Sequence, residues 1–261
     1  MTHIITVIIC IAASTLGAVC GIGGGIIIKP LLDLINYGSV QTVNFLSCCT
    51  VLSMTTYSII NNFVGKKSEI DIRVAMPLAA GAALGGVGGK YIFDWVVDFT
   101  GEADTAGAIQ SVILAAVIAG SIWYTLNKEK IRPELAGSNA AGIPIGLGLG
   151  LVSSFLGIGG GPINLIFLFY FYGFETKKAV KYSLFIIFLS QFTNLAVTVM
   201  RSNVPEFEPL TLVLMMAAGI CGGILGRKLN KKLSNKDVDK LFIAFQVLVV
   251  LICAVNFIKM M

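Results

Sequence analysis

The chain has 261 residues, 56% of them hydrophobic and only 13% charged, with a formal net charge of +5. Its mean hydropathy of +0.87, set against about 25% charged residues in soluble domains, excludes a water-soluble fold. Apolar runs of membrane-span length fill the chain and leave no room for a sizeable soluble domain. The positive balance sits in short loops, as the basic bias of cytoplasmic loops requires, and not in a nucleic-acid-binding surface.

The first apolar segment, residues 4–37, is interrupted by Gly21-Ile22-Gly23-Gly24-Gly25. Each glycine costs a helix interior ~1 kcal/mol relative to alanine, so four in five positions predict a broken helix. A second segment, 43–60, precedes a basic loop at 65–73, and a third, 74–93, precedes an acidic loop carrying Asp94, Asp98, Glu102 and Asp104. The fourth is 106–126. Residues 128–139, with Pro133 and Gly137, form the one linker-like stretch. The order then repeats as 140–171, interrupted by Gly157-Ile158-Gly159-Gly160-Gly161, followed by 179–200, 209–226 and 241–258.

More than the glycines returns. Tyr37-Gly38 recurs as Tyr172-Gly173, and Ala79-Ala80-Gly81, Gly85, Gly88 and Lys90 recur as Ala217-Ala218-Gly219, Gly223, Gly226 and Lys228. The chain therefore reads as an all-α polytopic membrane protein of about eight apolar segments. They form two four-segment repeats, 1–127 and 140–261, joined by a cytoplasmic linker at 128–139.

Lysine and arginine placement chooses the topology. Eight serial crossings divide these residues ten to eight, which orients nothing. If segments one and five enter at the glycines and return, fifteen fall on one side and only Lys90, Arg201 and Lys259 on the other, with Lys29 inside segment one. Lengths agree: a helix over 25–37 reaches only about 20 Å at 1.5 Å per residue, too short to span. Each repeat then opens with a glycine-broken re-entrant helix pair and has three full crossings, so the second repeat is inverted, as in many secondary transporters. The basic loops are expected in the cytoplasm of a multi-pass plasma-membrane (bacterial inner-membrane) protein, and both termini outside.

A helix that starts after such a break exposes unpaired N–H groups and a positive dipole end, which favours an anion. Gly23, Gly24 and Gly25 with Gly159, Gly160 and Gly161 are the expected cradle, and Pro162 suits a first helical turn. Lys29 and Asp33, one turn apart, can balance the substrate's charge and carry a coupling proton, or simply pair structurally. Ser53 and Ser190 stand at equivalent repeat positions, and Asn164, Gln191 and Asn194 are costly polar groups for a membrane interior. Interhelical hydrogen bonding is the alternative use for the hydroxyls.

His3 is the single histidine, and the six cysteines lack a CxxC pair, so neither a metal cluster nor a Ser-His pair is expected, and no cofactor. Cys20, beside the first break, is a candidate thiol, with burial as a small apolar residue the alternative.

The paired GIGGG motifs, Lys29-Pro30 after the first, Gly161-Pro162-Ile163-Asn164 in the second and the four-plus-four duplication resemble the TauE/SafE family of sulfite exporters. The resemblance covers nearly the whole chain. It implies a membrane transporter of sulfite, sulfonates, thiosulfate or related anions, driven by a proton or sodium gradient. A passive anion channel and an intramembrane enzyme are the competing readings.

Overall fold

The computed structural model describes residues 2–35, 37–63, 70–100, 103–128, 131, 141–156, 160–202 and 204–260. These form α1 (Thr2–Cys20), α2 (Gly25–Leu34), α3 (Val40–Phe63), α4 (Ile72–Thr100), α5 (Ala103–Asn127), α6 (Gly142–Phe155), α7 (Gly161–Tyr172), α8 (Thr176–Met200), α9 (Pro209–Lys232) and α10 (Asn235–Met260), with no strand among them. Among the described residues, α1, α3, α4, α8 and α9 contain stretches long and apolar enough to cross a membrane. At 1.5 Å per residue, α2 reaches only about 15 Å and α7 about 18 Å.

Both interrupted segments are helix pairs that double back. His3, at the start of α1, lies 3.1 Å from the Thr211 hydroxyl, and Tyr37, just beyond α2, donates to that same oxygen at 2.9 Å. Likewise Gly142, which opens α6, meets the hydroxyl of Tyr172, which closes α7. Each pair leaves the bundle at the end where it entered.

Small residues fix the packing across the two halves. Gly81, Gly85 and Gly89 of α4 lie directly against the α6 backbone at Ile143, Leu147 and Leu151, while Gly146 and Gly150 of α6 lie against Leu78 and Ala82. Gly222 and Gly226 of α9 press in the same way on α1 at Ser14, Thr15 and Ala18. In a bilayer such close backbone approach supplies the packing attraction that the hydrophobic effect does not. The result is reciprocal: α1 packs on α9 as α6 packs on α4, α3 on α9 as α8 on α4, and α3 meets α8 as α5 meets α10.

The residue order of these contacts gives directions. Along α4 and α6, and along α1, α3 and α9, contacting positions rise together, so the helices in each set are parallel. Gly86 to Ser190 and Tyr91 to Arg201 make α8 parallel to α4. Phe63 to Phe185 and Cys48 to Gln191 make α3 antiparallel to α8, and Ser121 to Gln246 with Lys128 to Asp239 does the same for α5 and α10. Thus α1, α3 and α9 point one way, and α4, α6 and α8 the other.

The end of the bundle holding the starts of α4, α8 and α10 is tied by side chains. Lys128 bonds Asp239 (2.6 Å) and Thr176 (2.8 Å) while standing 4.7 Å from the centre of the Phe169 ring. Ser234 hydrogen bonds, from hydroxyl and backbone N–H, hold the Asp237 carboxyl below its usual range at the start of α10.

One expected loop is mostly helix. The acidic stretch from Asp94 is the last two turns of α4, which runs to Thr100, and α5 begins at Ala103. The acids are interleaved with Trp95 and Phe99, one turn apart and stacked at 5.6 Å, which continue the exposed stripe begun at Tyr91. Interfacial aromatic residues on one helical face outweigh the polarity of the intervening acids.

Candidate functional site

Three residues of the first break lie in the left-handed region: Gly21 at φ 74°, Gly23 at 80° and Gly24 at 63°. Only glycine adopts such angles without a Cβ penalty, so the motif makes a turn that other residues would strain. The amides of Ile22 and Gly23 fold back to the carbonyl of Gly17 at 3.0 and 3.4 Å, closing α1. Helix resumes as Ile28 bonds the carbonyl of Gly24 at 3.1 Å. In the second break Gly160 has φ 98°, Pro162 occupies the first turn of α7, and Asn164 N bonds Gly160 O at 2.9 Å. Gly157, Ile158 and Gly159 lie outside the described residues.

The two breaks touch. A Cβ on Gly161 would stand 2.6 Å from the carbonyl oxygen of Ile22 and 2.8 Å from its Cβ. On the other side Gly21 abuts the Val180 backbone, and its carbonyl accepts a 2.6 Å bond from the buried Ser183 hydroxyl. Gly23 sits between Val51 and Ile187. Those two residues are 136 positions apart, the spacing of the glycine motifs, and fall near the middle of α3 and α8. The junction is therefore central to the bundle and shared by both halves.

Its polar groups are unusual. Asn164 is 1% exposed, and its carboxamide folds over Gly160 with Nδ2 unpartnered among the described residues. Ser14, 0% exposed, has its Cα beside Gly24 but its Cβ against Gly222 of α9, so its unpartnered hydroxyl belongs to the seam between α1 and α9. Such a donor costs about 1–3 kcal/mol when left unsatisfied in a protein interior. In the first turn of α2 the amides of Gly25, Ile27 and Ile28 bond the carbonyls of Gly23 and Gly24, and in α7 Pro162 has no N–H and Asn164 bonds Gly160. These helix starts therefore offer chiefly the positive ends of their dipoles. The junction thus holds one unsatisfied buried donor, Asn164 Nδ2, where α7 begins, and Ser47 lies alongside Gly25.

The other expected residues are placed as follows. Ser190 is buried opposite Gly86, one turn beyond Ile187. Gln191 is buried, and its main-chain carbonyl faces the Cys48 thiol at 3.6 Å. Asn194 lies farther along α8, in a cleft with Lys90 and Arg201. Ser53 turns its hydroxyl to the Cys49 carbonyl at 2.8 Å, as Thr50, Thr55, Thr56 and Ser58 do to carbonyls one turn back. These five α3 hydroxyls are therefore engaged by their own helix, whereas that of Thr42 donates to the Glu206 carbonyl at 3.0 Å. Lys29 is half-buried on α2, and the Asp33 side chain lies outside the described residues. Cys20 is fully buried in the core.

Sequence reasoning did not single out Ser14 or Ser183 as site residues. Ser14 is close to Gly17 in sequence, but nothing there shows that α1 folds back so that Gly24 reaches it. At the spacing of 136 that pairs Val51 with Ile187, Ser183 falls on Ser47, which lies alongside Gly25, so the duplication repeats a serine there without giving its role.

The family model of the sulfite exporter TauE/SafE matches residues 6–253. The chain is also 25% identical over 258 residues to a Bacillus subtilis (strain 168) protein, YunE, whose name describes a probable membrane transporter. That match covers 91% of this chain and 92% of the relative.

Proposed function

Because the chain belongs to the sulfite exporter TauE/SafE family and is a multi-pass membrane protein, we propose that it is a secondary transporter of a small sulfur-containing oxyanion of the sulfite, sulfonate or thiosulfate type. The anion binds between the two glycine breaks. The observation that carries this reading is the buried, unpartnered Asn164 Nδ2 over Gly160, at a junction where α7 begins against the first break. An oxyanion supplies the missing acceptors, and the two helix N-termini favour its charge.

The opposed directions within the equivalent pairs, α1 against α6, α3 against α8 and α4 against α9, support an inverted repeat of 1–127 and 140–261 about this junction. Of the fifteen lysines and arginines that the sequence count assigns to one side, the eleven described ones belong to the end that holds the starts of α4, α8 and α10, which we assign to the cytoplasm, with the termini outside a bacterial inner membrane. Backbone contact of Gly161 with Ile22 occludes the junction. That closure favours a carrier with alternating access over an open anion channel. A proton or sodium ion is the coupling species, with Asp33 the carboxylate proposed to bear a proton.

The test is sulfite flux into proteoliposomes holding the purified protein. Accumulation against a sulfite gradient, collapsed by an uncoupler or by removing sodium, is expected. Steady unitary currents would instead assign a channel, and no sulfite movement under any imposed gradient would refute the reading.

A further inference from the structure

A path out of the junction is written along one face of α8. Ser183 bonds Gly21, Ile187 touches Gly23, Ser190 faces Gly86, and Asn194, Val197 and Arg201 line a cleft with Val87, Lys90 and Tyr91 of α4. Successive positions are three or four apart, so they share one helical face. At 1.5 Å per residue, Arg201 stands about 21 Å from Ile187, which places the cleft at the mouth of the bundle.

The cleft is a small open niche with about 10 Å³ of water-sized space, and none of its six lining residues is acidic. That is unusual for this end of the molecule, where Asp98, Glu206 and Glu208 are found. Arg201 lies over the Tyr91 ring at 4.7 Å. Stacking fixes the guanidinium plane while leaving its in-plane N–H donors available to oxygen atoms, and Asn194 adds an amide below it. The opposite end has a counterpart: Arg227 of α9 bonds the Asn61 carbonyl of α3 at 2.8 Å, one turn beyond the contact of Gly223 with Met54 and Tyr57.

We propose that Lys90, Arg201 and Asn194 form an oxyanion-binding port, separate from the central junction, that captures or releases the transported anion at the outer mouth between α4 and α8. The port rests on the transport reading for the identity of its anion. A phospholipid headgroup offers similar oxygen chemistry, so the experiment must separate the two sources.

Trp95 stands one turn beyond Tyr91 and is exposed, and Trp123 is the second of two tryptophans. In a Trp123→Phe background in phosphatidylcholine nanodiscs, Trp95 fluorescence is quenched by iodide, with acrylamide as the neutral control. Lys90→Gln with Arg201→Gln should lower the iodide quenching constant by about threefold, the concentrating effect of a local potential near one kT, and leave acrylamide quenching unchanged. Lys90→Arg should retain it, and millimolar sulfite should compete with iodide in the parent protein only. Equal iodide constants in parent and double variant overturn the port. Loss of the iodide excess and of sulfite competition when phosphatidylglycerol is added also overturns it, assigning the cleft to lipid. Failure of transport is separate: if wild-type liposomes move no sulfite but the iodide difference and sulfite competition hold, the transport reading falls and the anion site stands.

Discussion

Gly161→Ala tests the contact between the two breaks. The added methyl would lie 2.6, 2.8 and 2.9 Å from the carbonyl oxygen, Cβ and Cα of Ile22, so no flexible side-chain tip can swing aside to admit it. Overpacking of this kind costs about 1–3 kcal/mol. Gly161 is also the first residue of α7 and its φ is not positive, so alanine recovers up to ~1 kcal/mol of helix propensity. The net loss lies between about 0 and 3 kcal/mol, a modest change in the detergent unfolding midpoint. Gly120→Ala is the control: nothing lies within 4 Å of its added Cβ, so it gains up to ~1 kcal/mol and keeps its flux. For Gly161→Ala, sulfite flux should disappear at a protein concentration where most molecules remain folded, because the junction has been wedged apart. Wild-type KM and flux in Gly161→Ala, with an unchanged midpoint, would refute the contact as the site.

Asn164→Leu removes a buried unpartnered donor while keeping side-chain size, so the midpoint should stay level or rise by about 1–3 kcal/mol equivalent while sulfite flux falls. Parallel loss of stability and flux would instead make Asn164 a structural residue. For topology, Ser39→Cys and Lys236→Cys, each in a Cys221→Ser background that removes an exposed native thiol, should react with a membrane-impermeant maleimide from opposite sides, Ser39→Cys from outside. Labelling of both from one side contradicts the inverted arrangement.

The two helix breaks were legible because glycine enforces a local conformation, and local rules survive in a sequence. Gly23 and Gly160 had to leave the helix whatever surrounded them. What the sequence concealed was pairwise. The glycines of α4 and α9 read as helix-packing residues, but nothing local says that α4 pairs with α6 and α9 with α1, each in the other half. The hydroxyls of α3 looked like a polar path, yet Ser53 and its neighbours bond to their own backbone, an option open to any helical serine or threonine. The acidic loop failed because Asp94 and Asp98 were weighed as charges while Trp95 and Phe99 decided the helix.

The cross-pairing bears on how a substrate at the junction is exposed to either side. Because α1 is seamed to α9 through Gly222 and Gly226, and α6 to α4 through Gly81, Gly85 and Gly89, the sequence halves cannot swing apart as bodies without tearing backbone-to-backbone contacts. The packing defines different units: α1, α2, α3 and α9 in one, α4, α6, α7 and α8 in the other. Their boundary runs through Gly161 on Ile22, Gly21 on Val180 and Gly23 on Ile187, which is the proposed binding site, and along the packing of α3 on α8 at Cys48 and Phe63. Relative motion of these units breaks few glycine seams and opens the junction directly. Each unit also carries one cationic mouth, Lys90 and Arg201 between α4 and α8, and Arg227 between α3 and α9. Sliding one unit against the other can therefore connect the same two sets of helix N-termini to either mouth in turn, as an alternating-access carrier requires.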